Sequence, residues 1–240
     1  MTGSKSLQFN QRAQALDADD EAINWNLAIA ATALRDWSVA RSAWSRLGIL
    51  KTEGRGPIQE DFGMTPVRLN PDSSGEVVWG RRICPVRARL QNVPYPESGF
   101  RFGDLVLHDG AGVGTRERQE RTYKVFNVLE LFEASDWSTF VVQIEVEVPE
   151  DASVLEDALE TAGFTCEDWT RSVRSICRKC SEGSVHEHHD RDLEAQDASR
   201  HMLGIASKDF SKADQVLRDW MSRSRRVIDV QRKLDPPKPH

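Results

Sequence analysis

The chain has 240 residues, of which 39% are hydrophobic and 29% are charged, and its formal net charge is −6 at pH 7. These proportions are ordinary for globular proteins and exclude a chain that is disordered throughout. The acidic balance argues against a general nucleic-acid binder, because contact with a phosphate backbone needs a concentrated basic face. No run of about 18 apolar residues occurs, and the N-terminus lacks the apolar core of a secretory signal, so we expect a cytoplasmic protein that does not bind membranes.

The first predicted domain, residues 1–52, contains two short amphipathic helices. Apolar residues recur at helical spacing over residues 9–48, and Asp36 lies where it can cap the second helix. This spacing resembles that of a tetratricopeptide repeat, whose signature positions are occupied here by Leu27, Ala28, Ala31, Ala40 and Trp44. Because a single repeat does not form a free-standing solenoid, the hairpin is expected to pack on the rest of the chain or on a partner.

The second predicted domain, residues 53–136, is rich in short strands. Four segments with strand character are separated by stretches of turn residues, which predicts a small β-sheet or half-open barrel. The glycine-rich stretch "GAGVG" is predicted to be a turn rather than a phosphate-binding loop, because no apolar helix follows it. The neighbouring His108 and Asp109 are interpreted as part of the same turn, since no third group is available to orient an acid/base pair.

The third predicted domain, residues 137–234, alternates strands and helices in the order βαββαβ. This order predicts a ferredoxin-like sandwich, with a Cys/His insertion at residues 177–190 and a loose tail at residues 235–240. The predicted fold class of the whole chain is therefore α+β.

The segment "CRKCSEGSVHEHHD" holds a candidate metal site. A C-x-x-C pair followed by histidines supplies the thiolate and imidazole ligands of a structural zinc ion. Two alternatives remain open, a free polar loop and a thiol redox pair, and the fourth zinc ligand could be either of the last two histidines. The candidate ligands are Cys177, Cys180, His186, His188 and His189.

No complete catalytic or nucleotide-binding motif occurs in the chain, so we expect a protein that is not an enzyme. Tryptophan is enriched at interface hot spots, and four of the seven tryptophans are candidate partner contacts: Trp25, Trp37, Trp79 and Trp137.

The chain also resembles a group of bacterial proteins of unassigned activity, through its "TPVRLNP", "GEVVWG" and "VLHDG" segments and the Cys/His run. The resemblance implies an interaction role, and a concrete hypothesis is an immunity protein that neutralises a basic toxin. The alternatives are a zinc-dependent enzyme that uses the Cys/His cluster and a zinc-knuckle protein that binds nucleic acid.

Overall fold

The computed structural model describes residues 3–73, 75–170 and 199–237, and within these ranges the protein is mixed α+β, as predicted. The helices are α1 (Gly3–Leu16), α2 (Glu21–Ala33), α3 (Trp37–Arg46), α4 (Glu150–Thr161) and α5 (Phe210–Trp220). The strands are β1 (Met64–Arg68), β2 (Val77–Cys84), β3 (Arg87–Leu90), β4 (Leu105–Arg118), β5 (Arg121–Glu133), β6 (Ser138–Val146), β7 (Thr165–Asp168), β8 (Arg200–Ser207) and β9 (Arg225–Leu234).

Aspartate side chains set the start of both helices in the N-terminal hairpin. Asp20 accepts a hydrogen bond from the backbone N–H of Ile23 (2.8 Å), and Asp36 accepts one from Val39 (3.2 Å), so the predicted cap at Asp36 is confirmed. The residues that occupy the repeat signature positions are all buried: Leu27, Ala28, Ala31, Ala40 and Trp44. Their burial is consistent with any packed helical hairpin, so the family of the hairpin stays a prediction.

Strands β1 to β5 form a closed barrel in which successive strands pair antiparallel. A parallel contact between β1 and β5 closes it, with Val67 opposite Phe126. Strand β1 was absent from the sequence prediction because Pro66 lies at its centre, and proline lacks the N–H group that a strand ladder uses.

The prediction of a turn at "GAGVG" is wrong, because β4 continues through this segment and through His108. Its pairing with β5 shifts register between His108 and Gly112 and again before Gly114, and the hairpin turns later, at Gln119 and Glu120. Glycine suits a bulged strand that another group approaches closely. A Cβ atom at Gly110 would lie 3.0 Å from the ring of Trp25 on α2.

The N-terminal hairpin packs on the barrel, and the two share one hydrophobic core. Arg87 of β3 is buried at this contact, with its guanidinium group 4.7 Å from the ring of Trp37 and 5.0 Å from that of Phe132. The Arg87 side chain also donates hydrogen bonds to Cys84 Sγ (3.1 Å) and to the carbonyl of Ile58 (2.5 Å). The hairpin therefore docks on its own chain.

The C-terminal part is a four-stranded antiparallel sheet in the order β7-β8-β6-β9. Helix α4 follows β6 and helix α5 follows β8, and both pack on one face of the sheet through Leu155, Leu159 and Leu217. Among the described helices, none combines the length and apolar character needed to span a membrane.

Candidate binding cavity between the barrel and the sheet

Three contacts join the segment after β3 to the end of β7 and hold the barrel against the C-terminal sheet. The indole N–H of Trp169 donates to the carbonyl of Val93 (3.1 Å), and the amide of Asn92 donates to Glu167 Oε1 (2.5 Å). The rings of Tyr95 and Trp169 lie with centroids 5.0 Å apart. These contacts fix two aromatic side chains at the junction.

A cavity of about 560 Å³ lies beside this junction, a volume typical of ligand-binding pockets. Its described lining residues are Tyr95, Gln143, Ile144, Trp169, Thr170, Arg200, His201, Met202 and Ile228. Two of the apolar side chains on its wall are open to solvent, Met202 at 42% and Ile228 at 53% exposure. The cavity is therefore an accessible concave surface with mainly apolar walls.

The position of Trp169 depends on a glycine in the neighbouring strand. Gly204 of β8 pairs with Glu167 of β7, and the Trp169 ring lies directly on its backbone. A Cβ atom at Gly204 would lie 2.1 Å from the ring, well inside van der Waals contact. The absence of a side chain at Gly204 thus makes room for one wall of the cavity.

A buried histidine–aspartate pair lies on the helix-covered face of the sheet, opposite the face that carries Met202, because successive residues of a strand face opposite sides. His201 Nδ1 is 2.7 Å from Asp168 Oδ2, and both side chains are only 4% exposed. The second oxygen of Asp168 accepts a hydrogen bond from the backbone N–H of Thr170 (2.9 Å). A carboxylate at Nδ1 selects the tautomer with the proton on Nδ1, which leaves the Nε2 lone pair available. In the described part of the chain, His201 Nε2 has no hydrogen-bond partner.

Charges of both signs lie close to the cavity. Glu145 forms ion pairs with Arg226 and, at 3.5 Å, with Arg200. Two arginines and one carboxylate leave one positive charge in excess beside walls that are mainly apolar.

The cysteines of the described ranges are buried free thiols, Cys84 and Cys166. Burial raises the pKa of the Cys166 thiol well above its ordinary value, and the nearby carboxylates of Glu156 and Asp168 raise it further. Cys166 is therefore a poor nucleophile and a poor metal ligand at neutral pH.

The zinc ligands predicted from the sequence lie outside the described residues: Cys177, Cys180, His186, His188 and His189. Within residues 3–73, 75–170 and 199–237 there is no cluster of three or more side chains of metal-binding type. The zinc site stays a prediction from the sequence.

The four tryptophans predicted to contact a partner are all half-buried, and none lines the cavity in the described structure. Trp25 contacts Trp44 (4.8 Å between ring centroids), Trp37 contacts Arg87, and Trp137 contacts Phe102 (5.1 Å). Each of these three has packing partners within the chain.

Trp79 lies on the barrel, 5.1 Å from the ring of Tyr123 and 5.2 Å from the guanidinium group of Arg118. The role of these four tryptophans in partner binding stays a prediction. The sequence analysis missed the cavity because its walls come from separate strands and a loop, and no periodic pattern joins them.

No protein-family model matches the chain, and no curated protein matches it. Among solved structures, the chain is similar to the crystal structure of a hypothetical protein from Neisseria gonorrhoeae. The two sequences are 12% identical, the match covers 73% of this chain and 96% of the other, and the TM-score is 0.34.

Proposed function

We propose that the protein is a non-enzymatic binding protein whose ligand is another protein, held at the cavity between the barrel and the C-terminal sheet. The observation that carries this proposal is the combination of rigid aromatic side chains with exposed apolar ones on a single concave surface. Large aromatic residues dominate the binding energy of protein interfaces, and methionine adapts its shape to the side chains it meets.

The exposed residues of the cavity favour a macromolecular ligand. Met202 on β8 and Ile228 on β9 expose apolar side chains on the two strands that flank β6. Exposed apolar side chains beside a concave site are typical of surfaces that another molecule covers. A partner that inserts one side chain into the cavity would also cover these two residues.

The net charge of −6 favours a basic partner, since opposite charge accelerates the encounter of two proteins. A concrete form of the proposal is a bacterial immunity protein that binds a basic toxin in the cytoplasm and blocks it. In this form the protein needs no catalytic group of its own.

Two finer features of the fold belong to the same proposal. The antiparallel order β7-β8-β6-β9, with one helix after β6 and one after β8, supports a ferredoxin-like C-terminal domain, which a structural zinc ion at the Cys/His segment would brace. The N-terminal hairpin would be a single tetratricopeptide-like unit that the barrel completes.

The test uses the full chain as bait in affinity purification from an extract of the cells in which it occurs. The stoichiometry and affinity of the captured protein are then measured. We expect one protein at a fixed ratio, and we expect Met202→Glu and Ile228→Glu each to weaken its binding at least about ten-fold, since each places a charge on an apolar contact.

The matched control is Leu129→Glu. Leu129 is 51% exposed on β5 and is absent from the cavity wall, so this variant should bind the captured protein like the parent. Absence of a stoichiometric partner for the parent chain would refute the proposal, and equal weakening by all three variants would show that binding occurs elsewhere.

A further inference from the structure

We infer that one exterior face of the barrel binds single-stranded nucleic acid, with arginine side chains on the phosphate groups and an aromatic ring against a base. This surface, which we call the arginine–aromatic face, is formed by β2, β3 and the β4–β5 hairpin and consists of Trp79, Arg81, Arg89, Arg118, Arg121 and Tyr123. The inference is independent of the proposed function, because the described lining of the cavity contains none of these residues.

Strand pairing places two arginines together on one side of the β4–β5 hairpin. Arg118 lies directly opposite Arg121 in the register, next to the turn. Because side chains at alternate positions of a strand share a face, Tyr123 lies on the same side as this arginine pair. The carboxylates near the turn lie elsewhere, with Glu117 on the opposite side of the hairpin and Glu120 in the turn itself. The hairpin therefore separates these two positive charges from its own acidic groups.

Trp79 of β2 positions this side of the hairpin. Its ring is 5.2 Å from the guanidinium group of Arg118 and 5.1 Å from the ring of Tyr123. A guanidinium group stacked on an aromatic ring keeps its N–H donors for an anion and loses less freedom when it binds one. Within the described ranges Arg118 and Arg121 form no ion pair, and like charges in opposed positions destabilise a hairpin. A phosphate group bound between them would remove this repulsion.

Two further arginines extend the face across the barrel. Arg81 follows Trp79 by two residues on β2, which places it about 7 Å away on the same side of the strand. Arg89 of β3 lies opposite Arg81 in the register. The ion pair of Arg81 with Asp61 is more than half exposed at both side chains, so it competes weakly with another anion. Arginines therefore lie on both sides of the Trp79 ring.

The aromatic rings favour nucleic acid over an acidic protein segment. A carboxylate-rich segment uses only the arginines, whereas a nucleotide supplies both a phosphate group and a base that stacks on an aromatic ring. The net charge of −6 does not oppose this assignment, because charges further than about 10 Å away are screened by salt. The fold concentrates on one face the basic groups that the composition averages over the whole chain.

The experiment measures binding of the full chain to a fluorescent thymidine oligonucleotide of about twelve nucleotides by fluorescence anisotropy. With four arginine–phosphate contacts, we expect the affinity to fall about 50-fold between about 50 mM and about 200 mM salt. The double variant Arg118→Gln/Arg121→Gln removes two contacts, so its affinity should fall only about seven-fold over the same range. Trp79→Leu removes stacking but no charge, so it should bind at least about five-fold more weakly with the salt dependence of the parent.

The matched control is Arg12→Gln/Arg46→Gln, which removes the same charge from exposed arginines on α1 and α3 and should bind like the parent. Absence of binding by the parent at the lower salt concentration would overturn the inference, and so would equal weakening by the two double variants. A glutamate peptide of similar length that binds as tightly as the oligonucleotide would assign the face to an acidic protein instead. If Trp79→Leu does not fold, the two double variants decide, because their substitutions lie at exposed positions.

Discussion

The burial of His108 should make the stability of the barrel depend on pH. The side chain is 1% exposed on β4, stacks on Phe126 at 5.1 Å between centroids, and donates from Nδ1 to the carbonyl of Asp109 (2.8 Å). Burial lowers the pKa of His108 from 6.5 to about 4, and the nearby Arg82 contributes to the decrease, while the contacts with Asp109 oppose it. The folded barrel therefore holds a neutral imidazole at every pH above about 4.

The sign and size of the effect follow from proton linkage. The unfolded chain binds a proton at His108 below its ordinary pKa of 6.5, whereas the folded chain does so only near pH 4. The contribution of His108 to stability is therefore fully present above pH 6.5 and decreases as the pH falls toward 4. Between pH 7 and pH 5 the expected loss in the free energy of unfolding is about 2 kcal/mol.

The assay is urea unfolding at pH 7 and pH 5 for the parent and for His108→Phe, which keeps a ring against Phe126 and removes the titration. Contributions from other groups occur in both proteins and cancel in the comparison. We expect the parent to lose about 2 kcal/mol more than the variant between the two pH values. An NMR titration of the His108 ring should show the imidazole still neutral at pH 5.

Equal pH dependence in the parent and in His108→Phe would refute this reasoning. So would an imidazole resonance of His108 that titrates near pH 6.5, because the burial that lowers the pKa would then be absent in solution.

Two further predictions concern the C-terminal part of the chain. Gly204→Ala should lower the free energy of unfolding by about 1–3 kcal/mol, because its Cβ would overlap the Trp169 ring. The control Gly56→Ala, whose new Cβ has no atom within 4 Å, should change it by less than about 0.5 kcal/mol. Thermal unfolding measures both. Elemental analysis of protein purified without added zinc should find about one zinc ion per chain, lost in Cys177→Ser and Cys180→Ser together with thermal stability. Comparable unfolding of the two glycine variants would contradict the first prediction, and metal-free parent protein would contradict the second.

Local sequence patterns predicted the secondary structure best where a segment obeys a single period. Two segments with the residue pattern of strands, "RHMLGIAS" and "RRVIDVQRKL", coincide with β8 (Arg200–Ser207) and β9 (Arg225–Leu234). The cap at Asp36 was predicted for the same reason, since capping depends on the first turn of the helix alone.

Prediction failed where a residue's role depends on a distant neighbour. The glycines of β4 resemble a turn in the sequence, but Gly110 lies in a strand against Trp25 of a helix far earlier in the chain. The cavity could not be predicted from local sequence either, because Tyr95, Trp169 and Ile228 come from three separate segments and line one cavity only in the folded protein. Trp169 is buried at the junction and also forms a cavity wall.

The shared core of the N-terminal hairpin and the barrel has a consequence during synthesis. Arg35, between α2 and α3, donates to the carbonyl of Phe132, a partner 97 residues later in the chain, with a distance of 2.9 Å. The two helices leave the ribosome first, but the strands that cover their apolar face are complete only after β5 has been made, several seconds later at ordinary rates of translation. During that interval the hairpin lacks the strands that complete the burial of Leu27 and Trp44, and its uncovered apolar face can aggregate.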